Sequence, residues 1–150
     1  MPRLFTFALL PALLLSACGG EPEDTRPGQP VAHRRAIFKE LLREFEPMGV
    51  MLRDNAYDPQ RFAAQAEKVK ALRDRPWQYF GPDTQYPPSH SKGEVWSKPA
   101  EFEAQRQAFL TATDKLLAIA GTEDAKEAEA AFQAVEKSCR DCHQGFKNKY

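Results

Sequence analysis

Apolar side chains return every three or four positions along four stretches of the chain, and each stretch ends at a break in that rhythm. In the first, Ile37, Leu41, Phe45, Met48 and Leu52 fall on one face, with Phe38 and Leu42 beside them. That repeat predicts an amphipathic helix from Val31 to Arg53, about six turns long, with Pro47 as a place to bend. Asp58-Pro59 is a capping residue followed by a first-position proline, and opens a second helix carrying Phe62, Ala66, Val69 and Leu72. Pro76 stops it. Lys98-Pro99 begins a third, with Phe102, Phe109, Ala112, Leu116 and Ile119 along one side and Gly121 at its C-terminal turn. Thr122 is read as the cap of a fourth, with Glu123 and Asp124 in the first turn, where the helix dipole favours anions. Its stripe is Ala128, Ala131, Phe132, Val135, Cys139, Cys142, His143 and Phe146.

Residues 77–97 lack any such period and are rich in Pro, Gly and Ser. Trp77, Tyr79, Phe80 and Trp96 are expected to anchor this connection to the core, since bare aromatics in solvent are wasteful. Short, long and short connections between four amphipathic helices predict an all-α fold over residues 31–150, an antiparallel four-helix bundle of up-down-up-down topology.

The N-terminus is of another kind. Met1-Pro2-Arg3 precedes an apolar run from Leu4 to Leu15 that is too short to span a bilayer, so residues 1–17 read as a signal peptide and the mature chain as exported. Leu15-Ser16-Ala17-Cys18 resembles the bacterial lipobox, which makes Cys18 the lipidation site and the membrane an expected partner; an ordinary secretory peptide discarded whole is the alternative. Gly19 after the cysteine favours, by that resemblance, the outer membrane facing the periplasm. Residues 18–30 hold three prolines, three glycines and no large apolar residue, and read as a flexible tether. Lys and Arg total 21 against 21 Asp and Glu, so no basic excess steers the chain to nucleic acid.

The chemistry is concentrated near the other end, in Cys139-Arg140-Asp141-Cys142-His143. C-x-x-C-H is the attachment signature of c-type haem: two thiols add across the porphyrin vinyl groups, and the adjacent imidazole ligates the iron. Without the histidine, the same cysteines would equally suit a redox dithiol or half a zinc site. A second C-x-x-C to complete a zinc site is absent. One covalently attached haem c is therefore the expected cofactor, with Cys139 and Cys142 as thioether positions and His143 as the axial metal ligand.

Up-down-up-down topology sets the end of helix four beside the start of helix one, so the far face of the haem should meet residues 32–42. Methionine is the usual strong sixth ligand of electron carriers. Met48 and Met51, however, lie about 15 and 20 Å further along the axis than Phe38, at ~1.5 Å per residue, and are expected in the core. His33 at the helix start and His90 in the connection are the remaining candidates, each expected in solvent. What faces the iron is then Ile37, Phe38 or Leu41. An open coordination position behind an apolar wall admits small neutral diatomics.

These residues resemble the cytochrome c-prime family. The likeness rests on C-R-D-C-H with Gln144-Gly145-Phe146-Lys147 after it, on Pro76-Trp77-Gln78-Tyr79-Phe80-Gly81-Pro82, on Glu94-Val95-Trp96-Ser97, and on Arg34 one turn before Phe38. The resemblance implies Phe38 as the bulky distal residue, Arg34 as partner of a haem propionate, and pentacoordinate high-spin iron that binds nitric oxide or another diatomic gas. It further implies protection from nitrosative stress; no enzyme activity is expected, since the sequence displays no general base or substrate pocket. An electron-transfer cytochrome docking to a redox partner protein is the alternative. The family commonly has arginine four residues after the haem histidine, where this chain has Lys147. Lysine keeps the charge but loses the planar guanidinium near the proximal pocket. The resemblance also raises a homodimer through helices one and two.

Overall fold

The computed structural model describes residues 22–149. The expected signal peptide and Cys18 lie outside the described residues.

Four long helices carry the fold: α1 (Pro30–Arg53), α2 (Pro59–Leu72), α4 (Pro99–Ile119) and α5 (Ala125–Phe146). The connection between α2 and α4 adds a 3-10 turn (Trp77–Tyr79) and a four-residue helix α3 (Glu94–Ser97). Packing runs α1 on α2, α2 on α4, α4 on α5, and more sparsely α5 on α1, which closes the ring of an antiparallel four-helix bundle. No β-strand occurs among the described residues; one isolated antiparallel bridge pairs Ser91 with Lys147. No described helix is long and apolar enough to cross a membrane.

The predicted stripes form the core. Leu41, Phe45, Met48, Met51, Phe62, Val69, Leu116 and Val135 are all buried in one cluster. Burying each such side chain is worth about 1.5–3 kcal/mol, more than local propensity supplies. Leu42, placed beside the α1 stripe in the sequence, instead faces out at 51% exposure. α1 passes through Pro47 without ending.

Caps explain the helix starts. Asp58 accepts from the N–H groups of Gln60 and Arg61, as the Asp-Pro pair predicted. The cap of α5 is Asp124, whose side chain accepts from Lys126 and Glu127 N–H, rather than Thr122. Thr122 stands two residues upstream, its hydroxyl accepting from Asp124 N–H and donating to Glu127. Gly121 is not among the residues with positive φ, so the end of α4 needs no left-handed glycine.

α1 begins in a way composition did not suggest. Its cap position, Gln29, sits at φ 41° and makes no side-chain cap bond, and Pro30 has no N–H to satisfy. The next two orphan N–H groups, of Val31 and Ala32, are met by Asp24, which accepts from them at 2.9 and 3.1 Å. Asp24 also accepts from Arg26 N–H and, at 2.9 Å, from the Tyr86 hydroxyl in the α2–α4 connection. It is 2% exposed. The tether expected over residues 18–30 is thus fastened to the bundle from Asp24 onward: residues that bury no apolar face are held by hydrogen bonds instead.

Burial would raise the Asp24 carboxyl. The N–H groups of Ala32, Arg26 and Val31 with the Tyr86 hydroxyl outweigh it and hold the pKa below its usual 3.8. A depressed folded-state value stabilises above the ordinary carboxylate range and is lost as pH falls through the lower folded value. Asp24→Ala is expected to cost about 0.5–2 kcal/mol at pH 7, the range for losing a helix cap. The gap between its urea midpoint and that of the unsubstituted protein should close below pH 4, and a gap independent of pH would mean that the carboxylate charge is not what acts.

Candidate haem pocket

α5 presents the chemistry because its stripe runs on into the Cys-x-x-Cys-His turn, where the cysteines are partly buried and His143 is exposed. Cys139 packs against the core cluster as a partly buried residue, one turn past Val135. Cys142 is also partly buried, and both are free thiols. Burial pushes both up to about 11. At neutral pH they are therefore protonated, which disfavours a redox dithiol, whose attacking thiol needs a depressed value. Among the described residues no cluster of three or more His, Cys, Asp or Glu side chains is arranged to hold a metal ion.

His143 follows directly and is more exposed than the thiols. Partial desolvation, and after it the positive charge of Lys147, pull its imidazole below the ordinary value. The ring is therefore neutral at pH 7 with a lone pair to offer. Lys147, at the C-cap of α5, donates its N–H to the His143 carbonyl at 3.0 Å. Its charge thus stands beside the imidazole, where the sequence suggested a proximal role.

What lies level with this turn on α1 follows from register. The Phe45 and Phe132 rings stack at 4.3 Å and 9°, and a Cβ on Gly49 would meet the Phe132 ring at 2.7 Å. In antiparallel helices of equal rise, stepping back from Phe45 or Gly49 to Phe38 corresponds to stepping forward from Phe132 to Cys139 or His143. Phe38 is thus level with the Cys139–His143 turn. The tight approach also makes a prediction: Gly49→Ala should cost about 1–3 kcal/mol through overpacking, measured by thermal or urea unfolding.

A chain of aromatic rings crosses from α1 to α5 at the same end. Phe38 meets Trp77 edge-on at 5.7 Å and Phe80 at 6.3 Å. Phe80 lies 5.2 Å from Phe102 of α4, which meets Phe146 of α5 at 5.2 Å. Phe38, Trp77, Phe80 and Phe102 are only partly buried, although each is apolar. Two free thiols one turn apart, a neutral imidazole and this array of half-covered rings fit a flat apolar macrocycle linked through its edge. Cys139, Cys142 and His143 are the residues that would hold it, and haem would supply an iron able to bind gases or exchange an electron.

The other candidates have other tasks. Met48 and Met51 are core residues, 0% and 5% exposed. His33 stacks on Tyr79 at 5.1 Å, and the His90 carbonyl accepts from Asn148 N–H at 2.8 Å, part of a short pairing that also joins Lys92 N–H to the Phe146 carbonyl. Arg34 is engaged within the chain itself. It is 3% exposed, and its terminal nitrogens donate to the Tyr79 carbonyl (2.9 Å), the Thr84 hydroxyl (2.8 Å) and carbonyl (2.9 Å), the Ser89 hydroxyl (2.6 Å) and, more weakly, Ser91 (3.4 Å). Those protons hold the α2–α4 connection.

Sequence reasoning passed over this receptor of Thr84, Ser89 and Ser91. It also passed over Arg73, which is buried and donates to the Leu110 carbonyl and Thr113 hydroxyl while pairing with Asp114, fastening α2 to α4. A buried arginine whose partners lie far along the chain leaves no local signal.

Comparison with known proteins agrees with the geometry. The profile of the family described as Cytochrome C' matches residues 29–147. Cytochrome c' of Alcaligenes xylosoxydans xylosoxydans is 32% identical over 125 residues, covering 83% of this chain and 97% of that protein. The structure of cytochrome c prime from Shewanella frigidimarina superposes with a TM-score of 0.78 at 26% identity, covering 83% of this chain and 98% of the other. A nitric oxide complex of a point variant of the Alcaligenes xylosoxidans protein gives a TM-score of 0.78 at 32% identity, covering 85% and 100%. A match spanning the whole bundle, the haem motif included, establishes that the chain belongs to the cytochrome c' family, whose members carry one covalently attached c-type haem.

Proposed function

We propose that this protein is an exported haem protein, facing the periplasm, that takes up small diatomic gases, nitric oxide foremost, and thereby protects against nitrosative stress. Cys139 and Cys142 carry the thioether links, and His143 is the ligand on the proximal side. On the distal side the chain offers Phe38. One observation carries the reading: the α1 residue level with the haem turn has a hydrocarbon ring, while Met48 and Met51 are enclosed in the core. A phenylalanine cannot ligate iron and excludes water and anions, so a neutral gas is the ligand that such a wall admits. The nitric oxide complex of the Alcaligenes relative supports the choice of gas. In this reading binding is the whole activity, and no catalytic step is assigned to the pocket.

Lipidation at Cys18 would hold the domain at the membrane, in this reading the outer membrane. Several acyl chains anchor far more firmly than one. Cys18→Ser is then expected to move the protein from the membrane fraction to the soluble periplasm.

The function is tested on the reduced, haem-loaded protein by optical titration with nitric oxide. A high-spin ferrous spectrum whose Soret band shifts on addition of the gas is expected. A low-spin, six-coordinate spectrum indifferent to it would replace this reading with an electron carrier serving a redox partner.

A further inference from the structure

Gas binding, as proposed, needs a distal ring and a proximal imidazole but gives no task to Arg34, one turn before Phe38 and buried. A guanidinium is costly to desolvate, and here its terminal protons converge on a single stretch of the α2–α4 connection. The carbonyl it grips at Tyr79 belongs to the peptide that leads into Phe80. The same guanidinium carbon lies 4.6 Å over the Phe80 ring, with Trp96 further off at 5.9 Å. From the other side the Trp96 indole N–H donates to the Phe80 carbonyl at 3.2 Å and the Gly81 carbonyl at 2.8 Å. Phe80 is thus held by backbone and by ring face, and it is one of the two rings that box in Phe38.

We propose that Arg34 is a positioning residue for the distal wall: by clamping the connection at Tyr79–Thr84 it keeps Phe80 pressed against Phe38 and so limits the room that a gas finds there. The claim rests on the proposed gas-binding function and adds the element that tunes it. Arginine is required because only a planar fork can reach Tyr79, Thr84 and Ser89 together while lying flat on a ring; an ammonium is a point charge without a face.

The test is a double-substitution cycle on the ferrous, haem-loaded protein, using carbon monoxide as probe and comparing the unsubstituted protein, Arg34→Lys, Phe38→Ala and the pair. Arg34→Lys is expected to raise carbon monoxide affinity about threefold or more, the scale of coupling between touching residues, and to have no further effect once Phe38 is alanine. Amide exchange at Thr84 should quicken in both Arg34→Lys proteins, a readout independent of the gas. If Arg34→Lys does not fold, Phe80→Leu replaces it with the same expected pattern. An equal fold-change in both Phe38 backgrounds, or none in either, overturns the clamp while leaving gas binding intact. Failure of Phe38→Ala itself to raise affinity overturns the distal role of Phe38 and the clamp with it, whereas loss of the nitric oxide response in the optical titration is what overturns gas binding.

Discussion

Carbon monoxide should bind the ferrous Phe38→Ala protein about tenfold more tightly than the unsubstituted one, or more, since each factor of ten is ~1.4 kcal/mol. For a gas to enter, the Phe38 ring must leave its present packing. It is held edge-on by Trp77 at 5.7 Å and Phe80 at 6.3 Å. Breaking each aromatic contact costs about 0.5–1.5 kcal/mol, and an off-rotamer side chain adds about 0.5–1.5 kcal/mol. The smallest of these together amount to about 1.5 kcal/mol, enough for the tenfold gain when the ring is absent. Alanine leaves room without introducing a ligand. The same substitution removes a partly buried ring, so it should lower the melting temperature less than Phe62→Ala, which empties a fully buried site at about 3–5 kcal/mol. Unchanged carbon monoxide affinity would show that Phe38 does not guard the iron.

That the distal level could be narrowed to Ile37, Phe38 or Leu41 from sequence, while the contacts of Arg34 could not be foreseen, has a physical reason. The helices were legible because burial imposes a period, and Ile37, Leu41, Phe45 and Met48 display it. Antiparallel packing of the first and last helices then turns residue counting into height, which points to residues 32–42, and the Phe45–Phe132 contact narrows that level to Phe38. The haem turn was legible because covalent attachment fixes residue type and spacing together. Arg34 has no such constraint. Its partner Thr84 lies 50 residues away and Ser89 55, in a stretch without period. Asp24 was hidden in the same way, its Tyr86 contact spanning 62 residues. Proline and glycine between 19 and 30 spoke for a tether, yet four hydrogen bonds fasten one carboxylate. Hydropathy registers apolar burial and is blind to polar burial, so the positions whose contacts went unseen are charged residues enclosed by distant donors or acceptors.

The second large effect concerns attachment itself. In the Cys139→Ser, Cys142→Ser protein, haem should extract into acidified organic solvent, and its pyridine adduct should carry the spectrum of a porphyrin that retains both vinyl groups. Serine nearly matches the thiol in size, and both positions are partly buried beside a continuous core, so the bundle is expected to persist. The change lies in molecularity. Two thioether bonds make haem part of the chain, whereas His143 and the rings of Phe38, Trp77, Phe80 and Phe102 alone would hold it as a dissociable ligand. Stabilisation by a dissociable ligand follows its free concentration, so the melting temperature of the double variant should fall on dilution while that of the unsubstituted protein stays constant. Cys142→Ser alone should keep one thioether and resist extraction. Were the double variant to hold its haem against the solvent, the link would run through some other residue, and the placing of Cys139 and Cys142 on the buried stripe of α5 would need a different explanation.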